Sequence, residues 1–72
     1  MNENEELLHT IGNNLRKFRN EKKISQQELA DISNIAKSTV QRIENGKLNP
    51  TILMLITISN SLGVPLNSFL NK

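Results

Sequence analysis

The 72-residue chain has no cysteine, no tryptophan, no tyrosine and only two phenylalanines. Without cysteine it can form neither a disulfide nor a thiolate metal site. Proteins that hold single-stranded nucleic acid commonly stack bases on several aromatic side chains, so this composition favours duplex over single strands. No apolar run approaches the roughly 20 residues that a membrane-spanning helix requires. Because the N-terminus is acidic and lacks the basic and apolar regions of a secretory signal, we expect a cytoplasmic protein that does not act on a membrane.

The groups that catalysis or metal binding would need are also missing. His9 is the only histidine, and it lies in an acidic helical context without a second ligand or a neighbouring nucleophile. Glu28 and Asp31 lie three residues apart, but helix capping accounts for Glu28 and no other group converges on the pair. The chain has no glycine-rich phosphate loop. The sequence therefore predicts a protein that is not an enzyme, with no metal, no cofactor and no evident small-molecule effector.

Charge is unevenly distributed along the chain. The net charge is only +2, but three of the seven acidic residues fall within the first six positions. Residues 7–72 therefore carry nine basic and four acidic side chains, and five of the nine basic ones lie between Arg16 and Lys23. Local clustering, more than the total, sets the field that a phosphate backbone meets. Charge alone is nevertheless more typical of a solvated helix face, so the case for a polyanionic partner needs other features.

Helical spacing of apolar residues and helix start and stop signals predict five helical segments and no strand. Ser25 with Glu28 three residues later is a capping box, which begins the second helix. Gly46 and Gly63 indicate the ends of the third and fourth helices, and Pro65 opens a short fifth segment. Short connections favour an all-α, compact bundle that forms one domain over residues 1–72. The predicted segments are about 4–22, 25–33, 36–44, 51–62 and 65–70.

The fourth predicted helix carries more apolar residues than one buried face needs. Leu53, Met54 and Ile56 lie outside its core stripe, and an apolar surplus marks either an interface or extra burial. It could be covered by Leu7 and Leu8 of the first helix or by a second subunit, and the sequence leaves both open. The residues predicted to face the core are Leu7 or Leu8, Ile11, Leu15, Phe18, Leu29, Ala30, Ile32, Val40, Ile43, Ile52, Leu55, Ile58 and Leu62.

The third predicted helix has a polar, cationic outer face formed by Lys37, Ser38, Gln41 and Arg42. Glutamine can bond an adenine edge with two hydrogen bonds, and arginine or lysine can bond guanine O6 and N7. Two short helices joined by a tight turn, with such side chains on the second, suit the major groove of DNA. The sequence therefore predicts a protein that reads the bases of duplex DNA.

Five strings occur in order along the chain: IGNNLRKFR at 11–19, SQQELA at 25–30, STVQRIENGK at 38–47, NP at 49–50 and SLGV at 61–64. Together, at this spacing, they resemble the repressor/Cro-type (XRE-like) helix-turn-helix family of phage repressors and many bacterial regulators. The resemblance covers residues 11–70. It implies a lambda-repressor-like bundle of five short helices, with the helix-turn-helix at about 25–44 and double-stranded DNA as the partner.

The resemblance also implies roles for individual side chains, with the third helix as the recognition helix. Gln26, at the first turn of the second helix, would bond a phosphate and brace a recognition-helix side chain. Arg19 and Glu44 would form a structural ion pair that orients the third helix. The expected base contacts are Lys37, Ser38, Gln41 and Arg42. The expected phosphate contacts are Gln26, Ala36, Asn45, Lys47, Asn49, Arg16 and Lys17.

Three of these assignments have an open alternative. Arg16 and Lys17 could instead serve only as charged residues that keep the surface soluble. Arg42 could contact phosphate alone and read no base. The overall expectation is a transcription regulator, a repressor acting as a homodimer on a palindromic operator. The alternative is a helix-turn-helix fold used as a protein-binding or antitoxin module with weak DNA affinity. The expected dimer surface, in the fourth and fifth helices, comprises Leu53, Met54 or Ile56, Val64, Leu66 and Phe69.

Overall fold

The computed structural model describes residues 1–72 and contains four α-helices and one 3₁₀ helix, with no strand. The all-α prediction is confirmed, although the fifth segment is a 3₁₀ helix and not an α-helix. None of the helices combines the length and the apolar character that crossing a bilayer requires. The elements are α1 Glu3–Glu21, α2 Gln26–Ser33, α3 Lys37–Glu44, α4 Ile52–Leu62 and the C-terminal 3₁₀ helix Leu66–Leu70.

Side-chain caps begin three of the four α-helices. Asn2 caps α1 and Thr51 caps α4, in each case by accepting a hydrogen bond from a backbone N–H three residues on. The capping box at α2 is confirmed, because the Glu28 N–H donates to the Ser25 hydroxyl at 3.0 Å and the Ser25 N–H donates to the Glu28 carboxylate at 2.9 Å. At α3 the capping position is Ala36, which has no side-chain acceptor.

Each of the four α-helices is followed, within two residues of its last residue, by a residue in the left-handed region of backbone conformation. These residues are Lys23, Asn34, Gly46 and Gly63, with φ between 56° and 69°. The sequence predicts Gly46 and Gly63 as helix ends, and asparagine, like glycine, tolerates this conformation. Lys23 is unpredicted, since a lysine side chain gives no such signal and the conformation is unfavourable for it.

The core lies where α1 packs against α3 and the 3₁₀ helix, and where α2 packs against α3 and α4. Two side chains tie these layers together by polar contacts. Asn14 on α1 donates to the backbone oxygens of Phe69 and Asn71 at 2.8 and 2.7 Å, and the Ser33 hydroxyl donates to that of Ser61 at 2.9 Å. The buried apolar residues are Ile11, Leu15, Leu29, Ala30, Val40, Ile43, Leu55, Ile58, Leu62 and Phe69.

Two residues predicted to be buried are exposed, and both predictions are wrong. Ile32 is 58% exposed, because α2 packs through the face that holds Leu29, Ala30 and Ser33, and Ile32 lies outside it. Ile52 is 59% exposed, because it occupies the first turn of α4, ahead of the stripe that begins at Leu55.

The apolar surplus on α4 is not covered within the chain. Leu53 is 71% exposed and Ile56 is 39% exposed, while Leu7 on α1 is itself exposed. The first helix packs mainly on α3 and the 3₁₀ helix. Phe69, predicted as part of a dimer surface, is instead fully buried, because its ring packs edge-on against Phe18 at 5.6 Å between centroids.

Candidate nucleic-acid interface

The four predicted base-reading residues share one exposed face of α3. Lys37, Ser38, Gln41 and Arg42 are all exposed. At about 100° per residue, these four positions fall within an arc of about 140° of the helix circumference, with Lys37 beside Gln41 and Ser38 beside Arg42. The opposite side is fully buried, as the 0% and 1% exposure of Val40 and Ile43 shows. The helix therefore presents hydrogen-bonding and cationic groups outward from a fixed position in the core.

Glu44, at the end of α3, is buried and lies at the centre of a polar network. Its carboxylate accepts hydrogen bonds from Arg19 Nε at 2.7 Å and Arg19 Nη2 at 3.2 Å. Gln26 Nε2 donates to the same carboxylate at 3.0 Å, and Arg19 Nη1 donates to the Ile24 oxygen at 2.8 Å. The predicted Arg19–Glu44 ion pair is thus present in the structure. It joins the end of α1, the start of α2 and the end of the predicted recognition helix.

Arg16 and Gln26, both predicted as phosphate contacts, have partners within the chain. Arg16 Nη2 donates to the backbone oxygen of Glu44 at 2.8 Å, and Arg16 Nε lies 3.7 Å from the Glu44 carboxylate. The Gln26 amide is directed at the same carboxylate. No sequence signal indicates the Arg16 partner, because a bond to a main-chain oxygen depends on how two helices cross. Only the family pattern indicated that Gln26 braces a group on α3.

The loop after α3 brings three further predicted phosphate contacts next to the recognition face. Asn45, Lys47 and Asn49 are all exposed. Ala36 is exposed at the other end of the helix, where its backbone oxygen accepts from the Thr39 N–H at 3.0 Å. These residues flank the outer face of α3 at both ends, which is where groups that grip a backbone on either side of a groove would be needed.

Lys17 is the one predicted contact that the structure separates from this face. On α1 the side facing α3 contains Gly12, Arg16 and Arg19. Lys17 follows Arg16 by one residue and so points about 100° away. Its ammonium lies 5.5 Å from the centre of the Phe18 ring.

Gly12 contributes to the site in a way that sequence reasoning missed. A β-carbon at this position would lie 2.7 Å from the backbone oxygen of Glu44 and closer still to that of Ile43. Real β-carbons do not approach backbone atoms that closely, so the absence of a side chain lets α1 lie directly on the end of α3. The sequence signal that could have found it is a glycine in the interior of a long predicted helix. Such a glycine lowers helix stability by about 1 kcal/mol relative to alanine, so its presence indicates a structural role.

Two short helices joined by a tight turn, the second presenting an exposed polar face, define a helix-turn-helix protein. The helix-turn-helix family model HTH_3 matches residues 15–69. The chain belongs to this family of DNA-binding transcription regulators.

Two curated relatives are named as a transcriptional regulator and an immunity repressor. The HTH-type transcriptional regulator SinR of Bacillus licheniformis is 38% identical over 63 residues, which cover 86% of this chain and 57% of SinR. The immunity repressor protein of Bacillus phage phi105 is 27% identical over 63 residues, which cover 88% of this chain and 44% of the repressor. The chain thus spans about half the length of these two relatives.

A solved structure of similar size has the same fold. The restriction-modification controller protein C.AhdI from Aeromonas hydrophila superposes with a TM-score of 0.84 at 27% identity. The superposition covers 86% of this chain and 94% of C.AhdI. The similarity therefore extends over most of both chains.

Proposed function

We propose that this regulator is a repressor that binds a palindromic operator in double-stranded DNA as a homodimer. The observation that carries the proposal is the exposed polar face of α3, whose opposite side is locked into the core. A helix of this size fits the major groove, and its outward side chains match the hydrogen-bonding patterns of base edges. Repression through blocking access of polymerase to the operator is the simplest output for such a unit.

The proposed contacts divide into base reading and backbone positioning. Gln41 would bond an adenine edge, Lys37 and Arg42 a guanine, and Ser38 either kind of base. Asn45, Lys47, Asn49 and the Ala36 backbone would contact phosphates on either side of the groove, and Gln26 would add one at the start of α2. Lys17 has the weakest support, because it points away from α3.

The dimer is supported by the uncovered apolar surface on α4. The surface comprises Ile52, Leu53 and Ile56, which are all exposed. A single short helix reads only a few base pairs, so doubling the site raises specificity to a useful level. The surface proposed from the structure gains Ile52 and loses Phe69, which is buried. Met54, Val64 and Leu66 are partly buried and can contribute at its edge.

The alternative, a protein-binding module with weak DNA affinity, is less well supported. Protein interfaces generally centre on a few buried aromatic or apolar residues. The exposed face of α3 offers none, whereas the apolar surface lies on α4. The names of the relatives, a transcriptional regulator and an immunity repressor, also favour the DNA-binding reading.

Replacing Gln41 by alanine tests the proposal. The variant should lose preference at one or two operator positions, at a cost of about 1–3 kcal/mol for a lost two-bond contact to a base. Competition binding with a set of operator variants measures this. Gln27→Ala is the matched control, because Gln27 is an exposed glutamine on α2 whose amide donates to Asp31. If base preference is unchanged at every position, Gln41 does not read DNA.

A further inference from the structure

The end of α3 is closed by backbone hydrogen bonds that leave one carbonyl without a backbone donor. The Lys47 N–H donates to the Arg42 oxygen at 2.8 Å, and the Gly46 N–H donates to the Ile43 oxygen at 3.1 Å. This is the Schellman arrangement, with Gly46 as the left-handed residue. No backbone N–H donates to the Glu44 oxygen. A helix C-terminus has four such orphan carbonyls, and each needs a partner.

Arg16 supplies the missing partner from α1. Its Nη2 donates to the Glu44 oxygen at 2.8 Å in a partly buried position. A cation at a helix C-terminus is also favoured by the helix dipole. The contact is possible because Gly12, one turn earlier on α1, allows the two backbones to approach closely. Arg16 therefore completes the cap of the helix that reads DNA.

His9 supports the same turn from the preceding part of α1. A β-carbon on residue 46 would lie 2.9 Å from both Nδ1 and Cε1 of His9, so the imidazole directly covers Gly46. Gly46 lies between Asn45 and Lys47, which are two of the proposed phosphate contacts. Two side chains of α1, one turn on either side of Gly12, thus hold the turn at the end of α3.

We propose that Arg16 and His9 are positioning residues for the phosphate-binding turn 44–47. They act on DNA through Asn45 and Lys47, and Arg16 is not itself a phosphate ligand. This inference rests on the proposed function, in which those two residues grip the DNA backbone. It replaces the expectation that Arg16 contacts phosphate, because its guanidinium is already engaged with both the carbonyl and the carboxylate of Glu44.

A double-mutant cycle in duplex binding separates the two roles of Arg16. Arg16→Gln, Lys47→Ala and the double variant are titrated with operator duplex at several salt concentrations. Each phosphate contact contributes roughly one unit to the slope of log affinity against log salt. The positioning role predicts that the double variant has the same slope as Lys47→Ala. A double variant whose slope is about one further unit lower would overturn the proposal.

Backbone amide hydrogen exchange in the free protein provides a readout that does not involve DNA. Arg16→Gln should speed exchange at the Gly46 and Lys47 amides about tenfold, which is the effect of losing one hydrogen bond to a charged group. The Leu55 amide at the start of α4, which donates to the Thr51 oxygen, is the internal control. Unchanged exchange at residues 46 and 47 would also overturn the proposal.

His9→Ala keeps the test valid if Arg16→Gln does not fold. His9 is exposed, so its removal affects little beyond the cover over Gly46. His9→Ala should speed amide exchange at Gly46 and Lys47. It should leave the salt slope measured in the Lys47→Ala background unchanged. Unchanged exchange at both amides would overturn the positioning role of His9. If wild-type protein shows no salt-dependent duplex binding, the proposed function fails, while the exchange measurements still decide whether α1 positions the turn.

Discussion

Gly12 is the position where one added methyl group should matter most. In an ordinary helix interior, glycine to alanine gains about 1 kcal/mol. Here the new β-carbon would meet the Glu44 oxygen at 2.7 Å, and neither helix backbone can move without displacing the core. Overpacking of this kind typically costs about 1–3 kcal/mol. We expect Gly12→Ala to lower the free energy of unfolding, as measured by urea denaturation.

The matched control is the next residue along the helix. Asn13 is exposed and its side chain makes one long hydrogen bond, from Arg16 Nη1 at 3.4 Å, so Asn13→Ala reports mainly the gain in helix propensity, without a steric conflict. It should be neutral or slightly stabilising. If Gly12→Ala raises the unfolding midpoint as Asn13→Ala does, then α1 and α3 do not approach as closely as the structure shows.

Arg19 should act through stability and not through DNA contact. Glu44 is only 1% exposed at its side chain, and removing Arg19 leaves that carboxylate with Gln26 and a more distant Arg16. Breaking a buried ion pair by removing one partner lowers the free energy of unfolding by about 3–5 kcal/mol. Because Gln26 and Arg16 remain near the carboxylate, we expect the loss for Arg19→Ala to be near the lower end of that range. Thermal melts of Arg19→Ala, of a Glu44→Gln variant and of both together give the coupling between them.

Arg42→Ala is the control for the loss of an arginine. Arg42 is exposed on α3, so its removal should change stability by less than about 1 kcal/mol while weakening DNA binding. An Arg19→Ala protein that melts like wild type but binds DNA poorly would contradict the structural role of the pair.

Individual side chains of the site differ in how far the sequence could predict them. The outer face of α3 follows from helical periodicity, so Lys37, Ser38 and Gln41 could be identified without coordinates. The Arg19–Glu44 pair could be expected only from the family pattern. The bond from Arg16 to a main-chain oxygen could not, because it depends on the angle and distance at which α1 crosses α3.

Helix ends offer a prediction of their own, because one of the four left-handed residues is a lysine. Lys23 has φ 58°, a conformation that costs an ordinary L-residue about 1–2 kcal/mol and glycine almost nothing. Replacing Lys23 by glycine would remove this conformational cost, but the greater entropy of glycine in the unfolded chain offsets part of the stabilisation. We expect Lys23→Gly to stabilise the protein by about 0.5–1 kcal/mol, measured by chemical denaturation.

Lys22→Gly isolates the conformational effect at the neighbouring position. Lys22 has φ −82°, where glycine brings no relief and only adds unfolded-state entropy. This variant should be neutral or destabilising. Equal effects from the two substitutions would show that charge, and not backbone conformation, determines the result.

The helices themselves were predictable to within one residue at nearly every boundary, because their caps and stops are local signals. Ser25 and Glu28 form the predicted box, and Gly63 ends α4 as expected. Burial was less predictable. Ile32 and Ile52 are as apolar as the core residues, and only the arrangement of neighbouring helices leaves them exposed.

For the molecule as a whole, the order and packing of the helices followed from the family resemblance, but the exposed apolar surface of α4 did not. From the sequence, either the N-terminus of α1 or a second subunit could bury this surface. The structure disfavours the first, because Leu53 and Ile56 stay exposed within the single chain. The polar face of α3 and the apolar surface of α4 therefore suggest separate partners, DNA for one and a second copy of the chain for the other.

A two-fold dimer on the operator is the prediction that follows. With recognition helices about 34 Å apart, each subunit would meet one half-site on the same side of the duplex. Ile52→Ser should lower affinity for a full palindrome by at least about tenfold, since burying an isoleucine contributes about 1.5–3 kcal/mol. Ile32→Ser is the matched control, because both isoleucines are nearly 60% exposed and Ile32 lies on α2. Sedimentation with and without a palindromic duplex gives the number of subunits bound. One subunit per full operator at saturation, with undiminished affinity for an isolated half-site, would rule the dimer out.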